Sequence, residues 1–128
     1  MVALTEMTYV APGGGGDAEL PDAPNCQPDS PAGREISQIT YVNGRRKFGI
    51  SREEGTSMAV PHVSAVAAMI IASGVIGADP TPRAIQDRLE ATARDLGTPG
   101  YDEYYGWGLL DAAAATTPGG ALVPATAP

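Results

Sequence analysis

Ser57 stands at a point in the chain where nucleophilic chemistry can be built from local structure alone. It follows Gly55 and Thr56 and precedes a long apolar run that predicts a helix. The first turn of a helix carries unpaired backbone N–H groups and the positive end of the helix dipole, which together stabilise an oxyanion. Ser57 is therefore a candidate nucleophile for acyl transfer, and an ordinary serine near a helix cap is the alternative interpretation.

The neighbours of Ser57 have types that suit a sharp turn into a helix. Gly55 permits a close backbone approach, and Thr56 fits a helix cap. Pro61 is expected in or near the first turn, where a missing N–H costs least, whereas slightly deeper it would kink the helix. After Val63 the run has apolar residues on every side, which predicts a helix that is buried all round and ends near Gly74.

A serine hydroxyl needs a general base to take its proton and an acid to orient that base. The only histidine is His62. Five residues turn through about 500° on a helix, so His62 lies roughly 140° around the axis from Ser57 and cannot face it. We expect His62 to make a structural hydrogen bond instead. No histidine precedes Ser57, and three aspartates in a polar loop lack the context of a catalytic acid: Asp17, Asp22 and Asp29.

The longer string Gly55–Val63, which includes Met58, Ala59, Pro61 and His62, resembles the nucleophile segment of the subtilases, the subtilisin-like serine proteases. Two further strings resemble motifs of the same family in the same order. Val10–Gly14 is similar to the Ala-Pro-Gly that follows a core strand, and Tyr105–Ala112 is similar to the closing Gly-x-Gly signature. The resemblance extends roughly from Tyr9 to Ala115.

This resemblance implies an α/β fold, the C-terminal portion of a subtilisin-like three-layer domain with a parallel sheet. Within the chain we expect a β-hairpin, the buried nucleophile helix and two further helices. Residues 1–115 are expected to form this part of the catalytic domain, with 13–34 as a mobile loop rich in glycine and proline. Residues 116–128 are expected to be a tail or linker.

By the same resemblance, Ser57 would be the nucleophile of a serine endopeptidase, and its own N–H would contribute to the oxyanion hole. The family's histidine, aspartate and oxyanion asparagine lie upstream of the serine. Asn25 and Asn43 lack the context of that asparagine. The expected partners are a polypeptide substrate and the missing upstream half of the domain, so this chain alone is expected to be inactive.

A different class of function is a truncated remnant or pseudoprotease that at most binds a partner. A serine hydrolase of another kind is disfavoured, because the sequence around Ser57 lacks the Gly-x-Ser-x-Gly elbow. Fluorophosphonate labelling of Ser57 in the completed domain separates catalysis from the remnant interpretation.

The rest of the sequence predicts the supporting elements. The stretch 36–42, the dipeptide Asn43–Gly44 and the stretch 45–50 predict a hairpin with a two-residue turn. Thr81 and Pro82 fit the N-cap and first position of an amphipathic helix that reaches Ala93. Residues 111–115 predict a short helix. Tyr104, Tyr105 and Trp107 are expected to pack against the core, with a binding platform as the alternative.

Composition excludes some partners and leaves others open. The net charge is −7 and no basic stripe is interleaved with aromatic residues, which disfavours nucleic acid. Cys26, the only cysteine, is either a free thiol or has lost a disulfide partner. We expect no cofactor, no metal site and no membrane span; the family resemblance makes calcium possible in the parent enzyme, but no calcium site can be assigned in this chain. No signal peptide is expected in this chain, although the family resemblance implies secretion.

Overall fold

The computed structural model describes residues 9–14, 35–42 and 47–119. Two strands and three helices follow one another along this part of the chain. They belong to two compact units, Pro12–Pro61 and the combination of Met1–Ala11 with His62–Pro128. The elements are β1 (Ile36–Val42), β2 (Lys47–Glu53), α1 (Thr56–Ser73), α2 (Pro82–Thr92) and α3 (Ala112–Thr116).

The unit Pro12–Pro61 contains an antiparallel hairpin of β1 and β2, which confirms the predicted hairpin. β2 continues to Glu53, three residues beyond the predicted end. The predicted turn at Asn43–Gly44 lies outside the described residues. The register of the described strands pairs Val42 with Lys47.

One face of the hairpin carries large apolar side chains. Because strand residues alternate between faces, the pairs Ile39–Ile50 and Tyr41–Phe48 share a side of the ladder. The rings of Tyr41 and Phe48 stack with centroids 4.5 Å apart. Ile39 and Ile50 nevertheless remain 77% and 73% exposed. The hairpin is therefore held by its ladder and its cross-strand pairs, and not by a core of its own.

α1 has 18 residues and ends where the sequence predicted. Gly74 follows Ser73 with φ of 65°, a conformation that glycine adopts without steric cost. The prediction of a helix buried all round is wrong for the described chain. Only Val66 and Ile70 of α1 are buried. An all-apolar pattern indicates that a helix can be buried on every side. The described residues, however, pack against only one side of α1.

The core lies in the unit that contains most of α1 together with α2 and α3. Thr81 caps α2 by accepting a 3.2 Å hydrogen bond from the N–H of Ala84, and Pro82 is the first helical residue, as predicted. α2 contributes Leu89 to the core. The buried cluster consists of Val66, Ile70, Leu89 and Ala115, and partly buried side chains pack against it: Tyr9, Val63, Val75, Ile76, Ile85, Leu110 and Ala112.

Short extended segments meet beside this core. Val10 pairs with Leu109 in parallel, through hydrogen bonds of 2.9 Å from Val10 N–H to the Gly108 carbonyl and from Leu110 N–H to the Val10 carbonyl. Leu109 also pairs with Arg94 in the antiparallel sense. Within the described residues, Val10 thus forms an isolated bridge. The described chain shows a hairpin and helices compatible with part of an α/β domain, and the expected parallel sheet stays a prediction.

α3 begins one residue later than expected. Asp111 is its N-cap, and Asp111 Oδ1 accepts a 2.9 Å hydrogen bond from the N–H of Ala114. At the other end, the Arg88 guanidinium from α2 donates to the carbonyls of Ala114 and Thr117 at 2.9 and 2.6 Å. Arg88 also donates to the Ala115 carbonyl at 3.0 Å. A cation thus holds the carboxyl end of α3, where the helix dipole is negative.

The aromatic residues before α3 pack less than expected. Tyr104 and Trp107 are 61% and 43% exposed, so the prediction that they pack against the core is wrong for these two. Trp107 makes an edge contact with Tyr101, with ring centroids 5.6 Å apart. Leu110 is the residue of this segment that packs against the core. The loop residues 15–34 and the tail residues 120–128 lie outside the described residues.

α1 is also apolar enough to be considered for a membrane. Its 18 residues have a mean hydropathy of 1.5, and 11% of them are buried. Length and composition alone satisfy this criterion, and the core helix of a protein outside the membrane satisfies it equally. α1 is therefore weak evidence for a span, and the expectation of no membrane span remains a prediction.

Candidate active site

The N-terminus of α1 is formed by a glycine in an unusual conformation. Gly55 has φ of 130°, which residues with a Cβ rarely adopt. Its carbonyl accepts a 2.9 Å hydrogen bond from the N–H of Met58, which closes the first turn. Thr56 is the first residue of α1, so the residue that precedes the helix is Gly55, and not Thr56 as the cap prediction had it.

Two motifs that are far apart in the sequence meet at this turn. The N–H of Gly55 donates a 2.7 Å hydrogen bond to the carbonyl of Gly13. Gly13 belongs to the Ala-Pro-Gly string and Gly55 to the string that contains Ser57, and both lie in the unit Pro12–Pro61. Gly13 was predicted to belong to a family motif, but not to contact the segment that carries Ser57. The two glycine-containing motifs can be recognised in the sequence. Neither motif, however, indicates by its own residues that it contacts the other.

Ser57 lies exposed in the first turn of α1. The N–H groups of Thr56 and Ser57 precede any intrahelical acceptor, and within the described residues no backbone carbonyl accepts from either. These groups and the helix dipole create a positive potential beside the Ser57 hydroxyl. This arrangement is suited to stabilise negative charge on an oxygen bound next to Ser57.

Pro61 lies deeper in the helix than expected. It is the sixth residue of α1 and stands inside the helix, past the first turn. At that depth the missing N–H removes an intrahelical hydrogen bond, so Pro61 destabilises α1 locally. The helix nevertheless continues through it to Ser73.

The remaining residues of the motif surround Ser57 in sequence but do not complete a catalytic group. His62 is half-buried on the same helix, so the helical geometry that turns it away from Ser57 holds. Its structural role stays a prediction. The other motif residues differ in exposure: Gly55, Thr56 and Pro61 are exposed, whereas Met58 and Ala59 are half-buried.

A cavity of about 320 Å³ lies in the unit that contains α2, and it offers different chemistry. Asp87, Glu90, Asp95 and Trp107 contribute to its lining. Asp87 pairs with Arg83 at 2.7 Å, Glu90 accepts from Gln86 at 2.8 Å, and Asp95 Oδ2 accepts from a backbone N–H at 2.8 Å, whereas Asp95 Oδ1 is buried and has no hydrogen-bond partner among the described residues. Among the described residues, the lining contains no serine, cysteine or histidine, so these residues provide no pair of nucleophile and imidazole.

Tyr9 lies in the same unit as this cavity. The pKa of Tyr9 is raised above 10.0, first because burial disfavours the phenolate and second because Glu90 adds a negative charge. Across the described residues, no group of three or more His, Cys, Asp or Glu side chains could hold a metal ion. The shift at Tyr9 arises from burial and Glu90, and not from the turn that carries Ser57.

Comparison with known proteins identifies the family. The model of the subtilase family matches residues 5–108. An extracellular serine protease of Serratia marcescens is 35% identical over 86 residues, which are 65% of this chain and 8% of that protein. Subtilisin of Bacillus pumilus is 44% identical over 61 residues, 48% of this chain and 20% of that protein.

A third relative carries a different kind of name. Serotype-specific antigen 1 of Mannheimia haemolytica is 37% identical over 65 residues, which are 51% of this chain and 7% of that protein. The chain thus spans a fifth or less of the length of each of these three relatives. Because the family match covers most of the chain, including the turn with Ser57, the chain belongs to the subtilase family.

Proposed function

We propose that this chain supplies the nucleophilic serine of a serine endopeptidase, and that Ser57 is that nucleophile. One observation carries the proposal: Ser57 lies exposed on the first turn of α1, directly after Gly55 and beside N–H groups without backbone partners in the described chain. Membership of the subtilase family supports the reaction class. The printed names of two relatives, an extracellular serine protease and subtilisin, support it as well.

The proposed reaction proceeds through an acyl-enzyme. Ser57 Oγ attacks the carbonyl carbon of a peptide bond, and its proton passes to an imidazole. The N–H of Ser57 donates to the oxyanion that forms on the carbonyl oxygen. Collapse of this intermediate breaks the C–N bond, and the imidazole gives its proton to the leaving amine. Water then attacks the ester with the imidazole as base, which releases the acid and regenerates Ser57.

The imidazole of this scheme does not come from residues 1–128. His62 is the only histidine of the sequence, and it lies on α1 turned away from Ser57. We therefore propose that the general base and the carboxylate that orients it belong to a part of the catalytic domain outside these residues. Loss of the serine or the histidine in subtilisin, a member of this family, lowers turnover by about 2 × 10⁶. Residues 1–128 alone are expected to be nearly inert.

The setting of the reaction follows from the same proposal. A polypeptide is the proposed substrate, and the missing half of the catalytic domain is the proposed partner. We also propose that the parent enzyme acts outside the cell, because one relative is named an extracellular serine protease.

Hydrolysis of a casein substrate tests the proposal. Residues 1–128 are assayed alone and together with the Asp- and His-bearing half of a subtilase domain. We expect hydrolysis only in the combination, and Ser57→Ala should abolish it. Ser64→Ala is the matched control, because Ser64 is also an exposed serine of α1 and should be dispensable.

Two results would count against the proposal. Hydrolysis by residues 1–128 alone that Ser57→Ala abolishes would show that the base lies within this sequence. A folded combination that remains inactive would favour the non-enzymatic alternative, a remnant or pseudoprotease that binds a partner.

A further inference from the structure

Gly13 and Gly55 approach each other through their backbones. The Gly55 N–H donates to the Gly13 carbonyl oxygen across 2.7 Å. A Cβ on residue 13 would lie 2.7 Å from the Gly55 carbonyl oxygen and 3.3 Å from its carbonyl carbon. Real Cβ atoms essentially never show contacts under 3.0 Å. Any side chain at position 13 must therefore push residue 13 and the Gly55 peptide apart.

The displaced group is the one that begins α1. The Gly55 carbonyl accepts the 2.9 Å hydrogen bond from Met58 N–H and shares a rigid peptide plane with the N–H of Thr56. Movement of this plane therefore moves the first turn, including the Ser57 N–H and hydroxyl. To bring the contact between the added Cβ and the Gly55 carbonyl oxygen from 2.7 Å to an ordinary 3.4 Å, the two atoms must separate by about 0.7 Å, which exceeds the tolerance of about 0.5 Å within which catalytic groups must be held.

Position 13 requires glycine because there is no room for a side chain. Gly13 has no positive φ, so its backbone conformation is open to any residue. The nearest obstacle is backbone, which cannot rotate aside as a flexible side chain does. A second side of the position is closed by Ala59, whose Cβ would lie 3.4 Å from the added atom.

We infer that Gly13 is a positioning residue for Ser57: its carbonyl and its lack of a side chain fix the peptide that begins α1. Gly13 itself touches no reacting atom. This inference rests on the proposed function, since it assigns Gly13 to the site in which Ser57 reacts. The hydrogen bond from Gly55 and the close backbone contact are the observations that support it.

Phosphonylation kinetics of Gly13→Ala test the inference. In this reaction Ser57 Oγ forms a bond to the phosphorus of a fluorophosphonate, fluoride leaves, and the hydroxyl proton passes to the base. The rate at saturating probe and the half-saturating probe concentration are measured separately, with residues 1–128 completed by the Asp- and His-bearing half of a subtilase domain. Thermal unfolding is measured on the same samples.

Gly49→Ala is the matched control. Gly49 also lacks a positive φ and also lies in the unit Pro12–Pro61. An added Cβ there would lie 2.8 Å from Val42 Cγ2, a side-chain atom of the hairpin. The control therefore makes the same chemical change with a similar overlap, but the overlap lies against the hairpin and not against the turn that carries Ser57.

We expect Gly13→Ala to lower the saturating rate at least tenfold while the half-saturating concentration changes less than twofold. Gly49→Ala should leave both quantities within twofold of the unmodified chain, even if it lowers the unfolding temperature as much. Equal saturating rates for Gly13→Ala and the unmodified chain would overturn the inference and leave the proposed function intact. Equal slowing by both variants would also overturn it, because a general loss of structure would then explain the effect.

If the unmodified chain is not labelled, the proposed function fails and a second measurement decides the inference. Backbone amide NMR of residues 1–128 compares the two variants. Gly13→Ala should shift the Gly55, Thr56 and Ser57 amide signals and raise the exchange rate of the Gly55 amide, whereas Gly49→Ala should not. Unchanged signals and exchange in Gly13→Ala would overturn the inference without reference to catalysis.

Discussion

Pro61 stands four residues after Ser57 on α1, so the carbonyl of Ser57 faces a ring that has no N–H to donate. In a regular α-helix the N–H of residue 61 would bond to this carbonyl. The serine proposed as nucleophile therefore belongs to a turn that is tied to the rest of the helix by fewer hydrogen bonds.

Pro61→Ala should stabilise the chain, because alanine restores the missing N–H and removes the clash of the ring. Part of this gain is offset by the greater freedom of alanine in the unfolded chain. We expect the free energy of unfolding in urea to rise by about 2 kcal/mol. Val60→Ala, at a neighbouring residue that is 56% exposed, is the control and should change it by less than about 0.5 kcal/mol. A destabilised Pro61→Ala chain would show that the proline makes a favourable contact.

Among truncations to alanine on α1, Ile70→Ala should lower the free energy of unfolding the most. Ile70 is fully buried in the core cluster, so its removal loses apolar contacts and leaves a cavity. The expected cost in unfolding free energy is about 2 to 5 kcal/mol. Ile71→Ala removes the same atoms from a side chain that is 48% exposed and should cost less than about 1.5 kcal/mol. Similar costs for the two variants would mean that α1 packs in another orientation.

Arg88→Met should weaken the attachment of α2 to the end of α3. The variant keeps the apolar stem of the side chain and removes the guanidinium. The variant loses three charge-assisted hydrogen bonds to the carbonyls of Ala114, Ala115 and Thr117. We expect a loss of about 2 kcal/mol in unfolding free energy.

Arg83→Met is the control for that experiment. Its ion pair with Asp87 is 2.7 Å long, but both side chains are more than half exposed, at 72% and 53%. Solvent screening limits such a pair to about 1 kcal/mol or less. A larger effect at Arg83 than at Arg88 would contradict the role given to the Arg88 guanidinium.

Stability should fall at alkaline pH in a way that depends on Tyr9. Burial and Glu90 raise the pKa of this phenol in the folded state, so above pH 10 the unfolded chain releases a proton that the folded chain retains. This contribution is present below the unfolded pKa and lost as pH rises above it, by at most about 1.4 kcal/mol per pH unit.

Urea unfolding at several alkaline pH values measures this slope. Tyr9→Phe should reduce it, whereas Tyr104→Phe, at a residue that is 61% exposed, should leave it in place. A slope that is the same in Tyr9→Phe and in the unmodified chain would contradict the assignment.

Local signals predicted the parts of the fold that depend on neighbouring residues. Thr81 with Pro82 predicted the start of α2, and Gly74 predicted the end of α1, because a cap or a positive φ is a property of one or two positions. The exposure of much of α1 does not follow from its local sequence, and was expected only because the central strands of the parent domain are not part of these residues. Its composition shows what the helix is able to bury, but which residues cover it depends on the rest of the fold.

The same distinction between local and long-range features applies to the candidate site. Ser57 and its turn were predicted from a contiguous motif, and their place at the start of α1 agrees with that prediction. The contact between Gly13 and Gly55 joins distant parts of the chain through backbone atoms, so no pattern of side chains indicates it. The hydrogen bonds from Arg88 to the end of α3 were not predicted either, because they depend on how α2 and α3 pack together.

The measurement that tests the central claim most directly is the site of fluorophosphonate attachment, determined by peptide mass spectrometry. Residues 1–128 are completed by the Asp- and His-bearing half of a subtilase domain and treated with the probe. If Ser57 is the nucleophile, the adduct mass appears on the peptide that contains Ser57 and is absent from Ser57→Ala. A folded, completed domain that carries the adduct elsewhere in this chain, or carries none, would contradict the claim.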